Sequence, residues 1–391
     1  VEIHAVHEGY TLDQFAIKNF NYRTDEYGGS LDNRLRYATD IVKNIKNAAG
    51  SDFPVSLRLS VGSKTKDFCK GAVPGEEFEE FGRDMAESEI VVKKLQDAGY
   101  DMLNCDNGTY DAWYWAHPPA YMPENCNLEE VKHIKKFVDI PVVCAGKMDT
   151  LTAAKAVGRG EIDAMGVARQ YLADPQWVTK TLEGREDDIR PCIHCHNGCF
   201  NMAHYKGVGN DQTLHDNAGM ARCALNPETM QSKKYKIVPA KKQKKVAIVG
   251  GGIGGMETAR VLALRGHKPT IFEKSGSLGG VFVAAAAPQF KSADKALLKW
   301  YEKQMKDLNV DIRLNTEVKL SDTLTGFAEV VVATGATAKR VPVKGAEKCI
   351  EACDYLSGAP VGDKIVVIGG GLTGCEIALD APLKGKTPVI V

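Results

Sequence analysis

Three cysteines crowd into "CIHCHNGCF" (192–200) as Cys192, Cys195 and Cys199, and Cys223 follows in "ARCALNPE". Such a spacing suits thiolate ligation. One outcome is zinc, with His194 or His196 as a further ligand. Four thiolates, however, are the usual cage of a [4Fe–4S] cluster. A zinc knuckle usually shows a second C-x2-C pair, and none follows. The expectation is therefore a [4Fe–4S] cluster on Cys192, Cys195, Cys199 and Cys223. The other cysteines are scattered, and no secretory signal is visible, so they read as reduced thiols.

Glycines carry the second pattern. Gly250, Gly252 and Gly255 follow the apolar run "VAIVG" and open a helical stretch. The first glycine permits the tight turn, the second lets a pyrophosphate approach the backbone, and the third lets helix and strand pack closely. The phosphate then meets a positive helix N-terminus. Glu273 stands at the end of the next strand-like run, where a carboxylate can accept from ribose hydroxyls. Gly369, Gly371 and Gly374 repeat the pattern after "KIVVIG". Two such turns in tandem suggest one site for FAD and one for a nicotinamide nucleotide.

The third group lies near the start. "VEIHAVHEGY" carries His4, His7 and Tyr10, which could hold a substrate oxygen and deliver a proton. Arg58 sits in the middle of the apolar run "SLRLS", where a guanidinium needs an anionic or electron-rich partner. A flavin pyrimidine would serve. Gly146 and the pair Ala168-Arg169 end two later strand-like runs, at the place where barrels commonly bind phosphate.

These residues need elements to position them. From 1 to about 185, short apolar runs alternate with amphipathic stretches. The strand candidates are "VEIHAV", "PVSLRLSV", "DMLNCD", "PVVCAG" and "DAMGVA"; helices are expected over 31–49 and 128–138. That rhythm gives β-α units and a parallel sheet. Five strands fit the C-terminal half of a TIM (β/α)8 barrel. Residues 186–240 form the cysteine segment and a basic linker. A Rossmann-like FAD-binding region is expected over 241–340, and the start of an NAD(P)-binding one over 341–391. Pro382 should shorten its helix. The chain opens at Val1 and closes in "TPVIV", both strand-like, so a cut inside a domain is expected at each end.

Composition narrows the partners. Lys plus Arg equals Asp plus Glu at 50 each, which argues against nucleic acid or an anionic membrane as a partner. No apolar run reaches the roughly 18 residues of a membrane span. A cytoplasmic location is expected, and a homo-oligomer is admissible.

In combination, "VEIHAVHEGYTLDQF", "RTDEYGGSLDNR", "VSLRLS", "PVVCAGKM" and "AMGVARQYLADP" resemble the barrel of the old yellow enzyme family. With "CIHCHNGC", Cys223 and the two glycine patterns, the chain is similar to the long iron–sulfur branch of that family. That branch includes 2,4-dienoyl-CoA reductase, trimethylamine dehydrogenase and the clostridial 2-enoate reductases. "DMLNCDNGTYDAWYWAHPP" and "NPETMQSKKYKIVPAKK" look closest to the 2-enoate reductases.

The resemblance implies FMN in the barrel, one [4Fe–4S] cluster and FAD in the second region, with NADH or NADPH as electron source. It implies that Arg58 faces the FMN ring. Gly146, Lys147, Ala168 and Arg169 would hold its phosphate. Tyr10 would be the proton donor, and His4 and His7 would contact the activating group. Glu8 is an extra residue in that family's H-x-x-N-G-Y pattern, and the interval from Cys199 to Cys223 is longer than usual. The implied reaction is NADH-dependent reduction of the C=C bond of a small unsaturated acid or thioester. Electrons would pass from FAD through the cluster to FMN. Two alternatives stand beside it. One is an amine dehydrogenase using Trp113, Tyr114 and Trp115 as an aromatic cage. The other is a redox-sensing module without turnover.

Overall fold

The computed structural model describes residues 1–5, 10–203, 221–339 and 342–391. It divides into two compact units, Val1–Ala168 and Arg169–Val391. The helix Arg169–Ala173 bonds to the cysteine segment: Gln170 Nε2 donates to Arg190 O at 2.9 Å, and Asn226 Nδ2 to Leu172 O at 3.0 Å.

In the first unit, five strands form one parallel sheet in chain order: β1 (Glu2–His4), β2 (Ser56–Ser60), β3 (Met102–Asp106), β4 (Val142–Ala145) and β5 (Ala164–Gly166). Each lies inside an expected run. Pro54 and Pro141 lack an N–H and stay outside the ladder, although the Pro141 carbonyl accepts from Leu103 N at 2.9 Å.

Alternation along the strands sorts the two faces. Leu57, Leu59, Leu103, Cys105, Val142 and Cys144 point to one side. There they pack with Leu35, Ala38 and Val42 of the helix Leu31–Ala49, and with Val91, Val92 and Leu95 of the helix Met85–Ala98. Those helices start where side chains cap them: Ser30 accepts from Asn33 N, and Asp84 from Glu87 N. Arg34 reaches across to Glu87 at 2.7 Å and ties the two together. Burial pushes the Cys144 thiol up to about 12, so it stays neutral in this core. The opposite face is the inside of the barrel wall. His4, Arg58, Asn104, Val143 and Ala164 share one level across all five strands, and Ser60 and Asp106 pair one level further on.

In the second unit, β6 (Lys245–Val249), β7 (Lys268–Phe272), β8 (Asp311–Arg313) and β9 (Glu329–Val332) form a parallel sheet in the order β8-β7-β6-β9. Ile248, Met256, Ile271, Leu297, Trp300 and Met305 fill the core between this sheet and the helices Ile253–Leu264 and Ser292–Asp307. The strands β10 (Lys364–Val367) and β11 (Thr387–Ile390) make a second parallel pair around the helix Leu372–Asp380. That helix has 9 residues against 12 in its counterpart. It gives way to a tight turn at Pro382–Lys384, as the proline requires. Among the described residues, no helix is long and apolar enough to cross a membrane.

Leu103 is wholly buried at the centre of the barrel wall. Leu103→Ala is expected to cost about 2–5 kcal/mol, read as a lowered denaturation midpoint of the first unit.

Candidate functional site

Cys192, Cys195, Cys199 and Cys223 line one pocket, together with Arg169, Leu172, Ile193, His194, His196, Gly198 and Leu225. It encloses about 330 Å³, part of it open to solvent. Gly198 makes the convergence possible. A Cβ on it would stand 2.7 Å from Ala224 N and 2.8 Å from Cys223 C, so only glycine lets the two cysteine segments touch. Arg222 N donates to Gly198 O at 2.7 Å across this junction. His194 and His196 take left-handed backbone conformations, at φ 53° and 56°, and wind the chain round Cys195. Ile193 and Leu225 then anchor the segment on the core of the second unit.

Burial pushes the Cys192 thiol up to about 11; the Arg169 guanidinium pulls it down, and Cys199 and Cys223 push it up. Cys195 is raised for the same reason and by the same two neighbours. The four sulfurs thus feel one another. Among the described residues, however, no three His, Cys, Asp or Glu side chains close on a single point as the ligands of one ion do. A tetrahedral zinc site with Zn–S near 2.3 Å would draw its sulfurs to about 3.8 Å of one another. A four-iron cluster takes each thiolate on a different iron, so its cage is wider. Four thiols spread round a pocket with apolar walls fit the cluster better than the ion.

The glycine turns repeat one geometry. Gly250 has φ 109° and Gly369 has φ 104°. A Cβ on Gly255 would lie 1.9 Å from Gly250 O, and one on Gly374 would lie 2.0 Å from Gly369 O. In both, the third glycine is needed so that helix and strand can approach. Gly252 and Gly371 stand in extended conformation just before their helices. Around Gly252 there is room: the nearest atoms to its Cβ, in Gly279 and Gly280, are at 3.9 Å. Glu273 accepts from Gly251 N at 2.6 Å and from Ser275 N at 2.8 Å. Burial works to raise its pKa, but these two N–H donors outweigh it and hold the carboxylate below the ordinary range. It stays ionised, with acceptor capacity left for a ribose hydroxyl.

On the barrel face, the Arg58 guanidinium pairs through Nη2 with Asp106 Oδ2, and Nη1 lies 3.4 Å from Asn104 Oδ1. Its Nε–H is buried and has no partner. An acceptor such as a flavin pyrimidine edge would satisfy it. His4 stands opposite Arg58 in the register. His7 lies outside the described residues. Tyr10 begins the helix Tyr10–Ala16, and its side chain is not among those described. Gly146 (φ 118°) ends β4; a Cβ there would meet Asn127 Nδ2 at 2.2 Å. Ala168 follows the neighbouring β5.

Two cationic side chains expected at a phosphate have protein partners. Lys147 Nζ donates to Ala120 O at 2.8 Å and Met122 O at 2.5 Å, so its ammonium ties down the loop after Trp115. Arg169 Nη1 meets His196 Nε2 at 2.5 Å, on the wall of the cysteine pocket. Nor do Trp113, Tyr114 and Trp115 form a cage. Trp113 stacks on His117, whereas Trp115 is buried with the Lys64 ammonium 4.7 Å from its ring centre. Sequence reasoning missed Asp106 and the buried pair Asn107 and Asn127, joined at 3.1 Å. An arginine in the middle of the apolar run of β2 was the signal that an acid had to stand nearby. The asparagines gave no such signal.

Residues 1–188 match the NADH:flavin oxidoreductase / NADH oxidase family, and residues 218–326 and 320–391 match the pyridine nucleotide-disulphide oxidoreductase family. Over 394 residues the chain is 47% identical to a cinnamate reductase of Clostridium sporogenes, covering 100% of this chain and 57% of that protein. It is 33% identical to an NADH oxidase of Thermoanaerobacter brockii, covering 100% of this chain and 58% of that one. The chain thus spans somewhat over half the length of these relatives. A 2-naphthoyl-CoA reductase structure superposes with a TM-score of 0.83 at 29% identity, covering 100% of this chain and 56% of that one. The chain belongs to the old yellow enzyme family of flavin-dependent oxidoreductases, in the branch that joins a TIM-barrel segment to a Rossmann-like one.

The glycine geometry makes a sharp prediction. Gly255→Ala should destabilise the second unit by about 1–3 kcal/mol, since its Cβ has nowhere to go. Gly252→Asp should keep the wild-type melting curve yet lose bound flavin dinucleotide, because the new carboxylate repels a pyrophosphate there. Thermal melts and flavin extraction on both variants check this.

Proposed function

We propose that the chain is part of an NAD(P)H-dependent reductase of the C=C bond in an α,β-unsaturated carboxylate or thioester. The observation that carries this reading is the grouping of four thiols round one pocket, in a chain with two dinucleotide turns and a buried, unsatisfied Arg58 Nε–H. Such a set suits FAD at Gly250, Gly252, Gly255 and Glu273, and a nicotinamide nucleotide at Gly369, Gly371 and Gly374. It suits a [4Fe–4S] cluster on the cysteines and FMN over Arg58. The expected domain limits, 1–185, 186–240, 241–340 and 341–391, follow that division of labour. When bound, these groups supply hydride and single-electron transfer between nicotinamide and substrate.

The chain's own residues do the rest. The N-terminus of the helix Ile253–Leu264 receives a pyrophosphate, and Glu273 accepts from a ribose hydroxyl. Cys192, Cys195, Cys199 and Cys223 would hold the cluster as thiolates; burial opposes that ionisation at Cys192 and Cys195, and metal ligation would favour it. Arg58 donates Nε–H to the pyrimidine edge. Gly146 and Ala168 follow adjacent strands, and a phosphate would lie by their backbone, with Lys147 and Arg169 beside it in sequence. His4 and His7 hold the oxygen of the activating group, and Tyr10 delivers a proton to the α-carbon. A phenol with a pKa near 10 is protonated at neutral pH and can do so. The family resemblance to a cinnamate reductase favours an enoate over an amine, as does the absence of a cage at Trp113–Trp115.

Iron and acid-labile sulfide analysis of anaerobically purified protein is expected to give four irons, and Cys223→Ser to lower that count. Stoichiometric zinc without iron would overturn the assignment. Tyr10→Phe is expected to slow the oxidative half-reaction with an enoate by about 10²- to 10⁴-fold while leaving flavin reduction by NADH intact. Stopped-flow traces of both half-reactions decide it, and wild-type rates in both would exclude Tyr10 as the acid.

A further inference from the structure

Asp106 is completely buried, and the side chain it pairs with, Arg58, is 20% exposed. They meet on the inner face of the barrel wall, one register level apart on neighbouring strands. Among the described residues, His4 stands opposite Arg58 in the register, and Asn104 lies beside it with Glu2 beyond. Asn104 Oδ1 lies 3.4 Å from Arg58 Nη1, and Asn104 Nδ2 donates to Glu2 Oε2 at 3.0 Å. Among the described residues, Arg58 Nε–H has no acceptor and is buried. Either charge by itself would be costly at this depth, and together they sum to zero.

We propose that Asp106 is a positioning and charge-setting residue for the barrel flavin. It fixes the Arg58 fork so that Nε–H is presented to the cofactor, and it cancels the positive charge that would otherwise come with it. The proposal rests on the reading of FMN over Arg58. A flavin beside a lone guanidinium gains a counter-ion for its reduced, anionic form and becomes a weaker hydride donor. Beside a neutral Arg58–Asp106 pair it gains a hydrogen bond without that counter-ion, and it remains a stronger donor. An enoate activated only by a carboxylate or thioester is a poor hydride acceptor, so a donor of low potential is what the reaction needs.

The signs make the test. In the anaerobically purified holoprotein, supplied with FMN where needed, Asp106→Asn leaves a net positive charge and should raise the FMN midpoint potential. Affinity of the oxidised flavin for sulfite should rise with it, by roughly tenfold, the size of one charge interaction over about 10 Å at an effective dielectric near 20. Arg58→Gln leaves a net negative charge and should move both readouts the other way. The double variant Arg58→Gln/Asp106→Asn carries neither charge and should return close to wild type. If Asp106→Asn fails to fold, the double variant against Arg58→Gln isolates the same carboxylate, and the double variant should have the higher potential. Potentials that ignore Asp106, or single variants that shift in the same direction, would overturn the inference while leaving the FMN reading intact. Holoprotein that binds no FMN would instead sink both.

Discussion

A charged side chain on the inner face of a parallel sheet must be answered from within the sheet. Arg58 is answered by Asp106 on the next strand, and only because β2 and β3 pair with Arg58 opposite Asn104 and Ser60 opposite Asp106. A slip of one residue would turn Arg58 into the helix-packed core and Leu57 into the barrel interior. The outer face prevents that slip. Leu57, Leu59, Leu103 and Cys105 are all buried against the helices Leu31–Ala49 and Met85–Ala98. The apolar face therefore fixes the register, and the register brings Arg58 and Asp106 together on the inner face.

The second unit is governed by close approach. Gly198, Gly255 and Gly374 each stand where a single added carbon would meet backbone at 2.7 Å or less. At Gly255 and Gly374 this lets a helix press its N-terminus towards the strand before it, which aims N–H groups at an anion. At Gly198 it lets a turn of three cysteines lie against the strand of chain that carries the fourth. The cysteine segment does not float between the two: Ile193 and Leu225 share the core of the nucleotide-binding sheet, and Trp300 Nε1 donates to Asp188 O at 3.0 Å.

Lys147 and Arg169 each make protein contacts that their places in the sequence do not announce. Lys147 adopts φ 48° after the Gly146 turn, and this throws its ammonium onto the carbonyls of Ala120 and Met122. Arg169 belongs by its bonds to the cysteine pocket and lowers the pKa of Cys192 from there. Trp113 and Trp115, two residues apart in sequence, face different partners for the same kind of reason: one stacks on His117 and the other closes over Lys64.

Whatever depends on local order was legible in the sequence. The alternation of apolar residues gave the strands and the helix Leu31–Ala49, because a period of two or of 3.6 decides which face is buried. The spacing of Gly250, Gly252 and Gly255, and of Gly369, Gly371 and Gly374, announced the turns, because only glycine tolerates those angles and approaches. The crowding of Cys192, Cys195 and Cys199 announced a cluster of thiols in one place. What the sequence could not supply was pairing between residues far apart along the chain. That Asp106 answers Arg58, that Asn127 closes on Gly146 and Asn107, and that Cys223 reaches Cys192 across Gly198 depends on strand register and on where loops return. Many partners for a buried charge or a thiol are chemically equivalent in sequence, and only the packing of the sheets against their helices selects one.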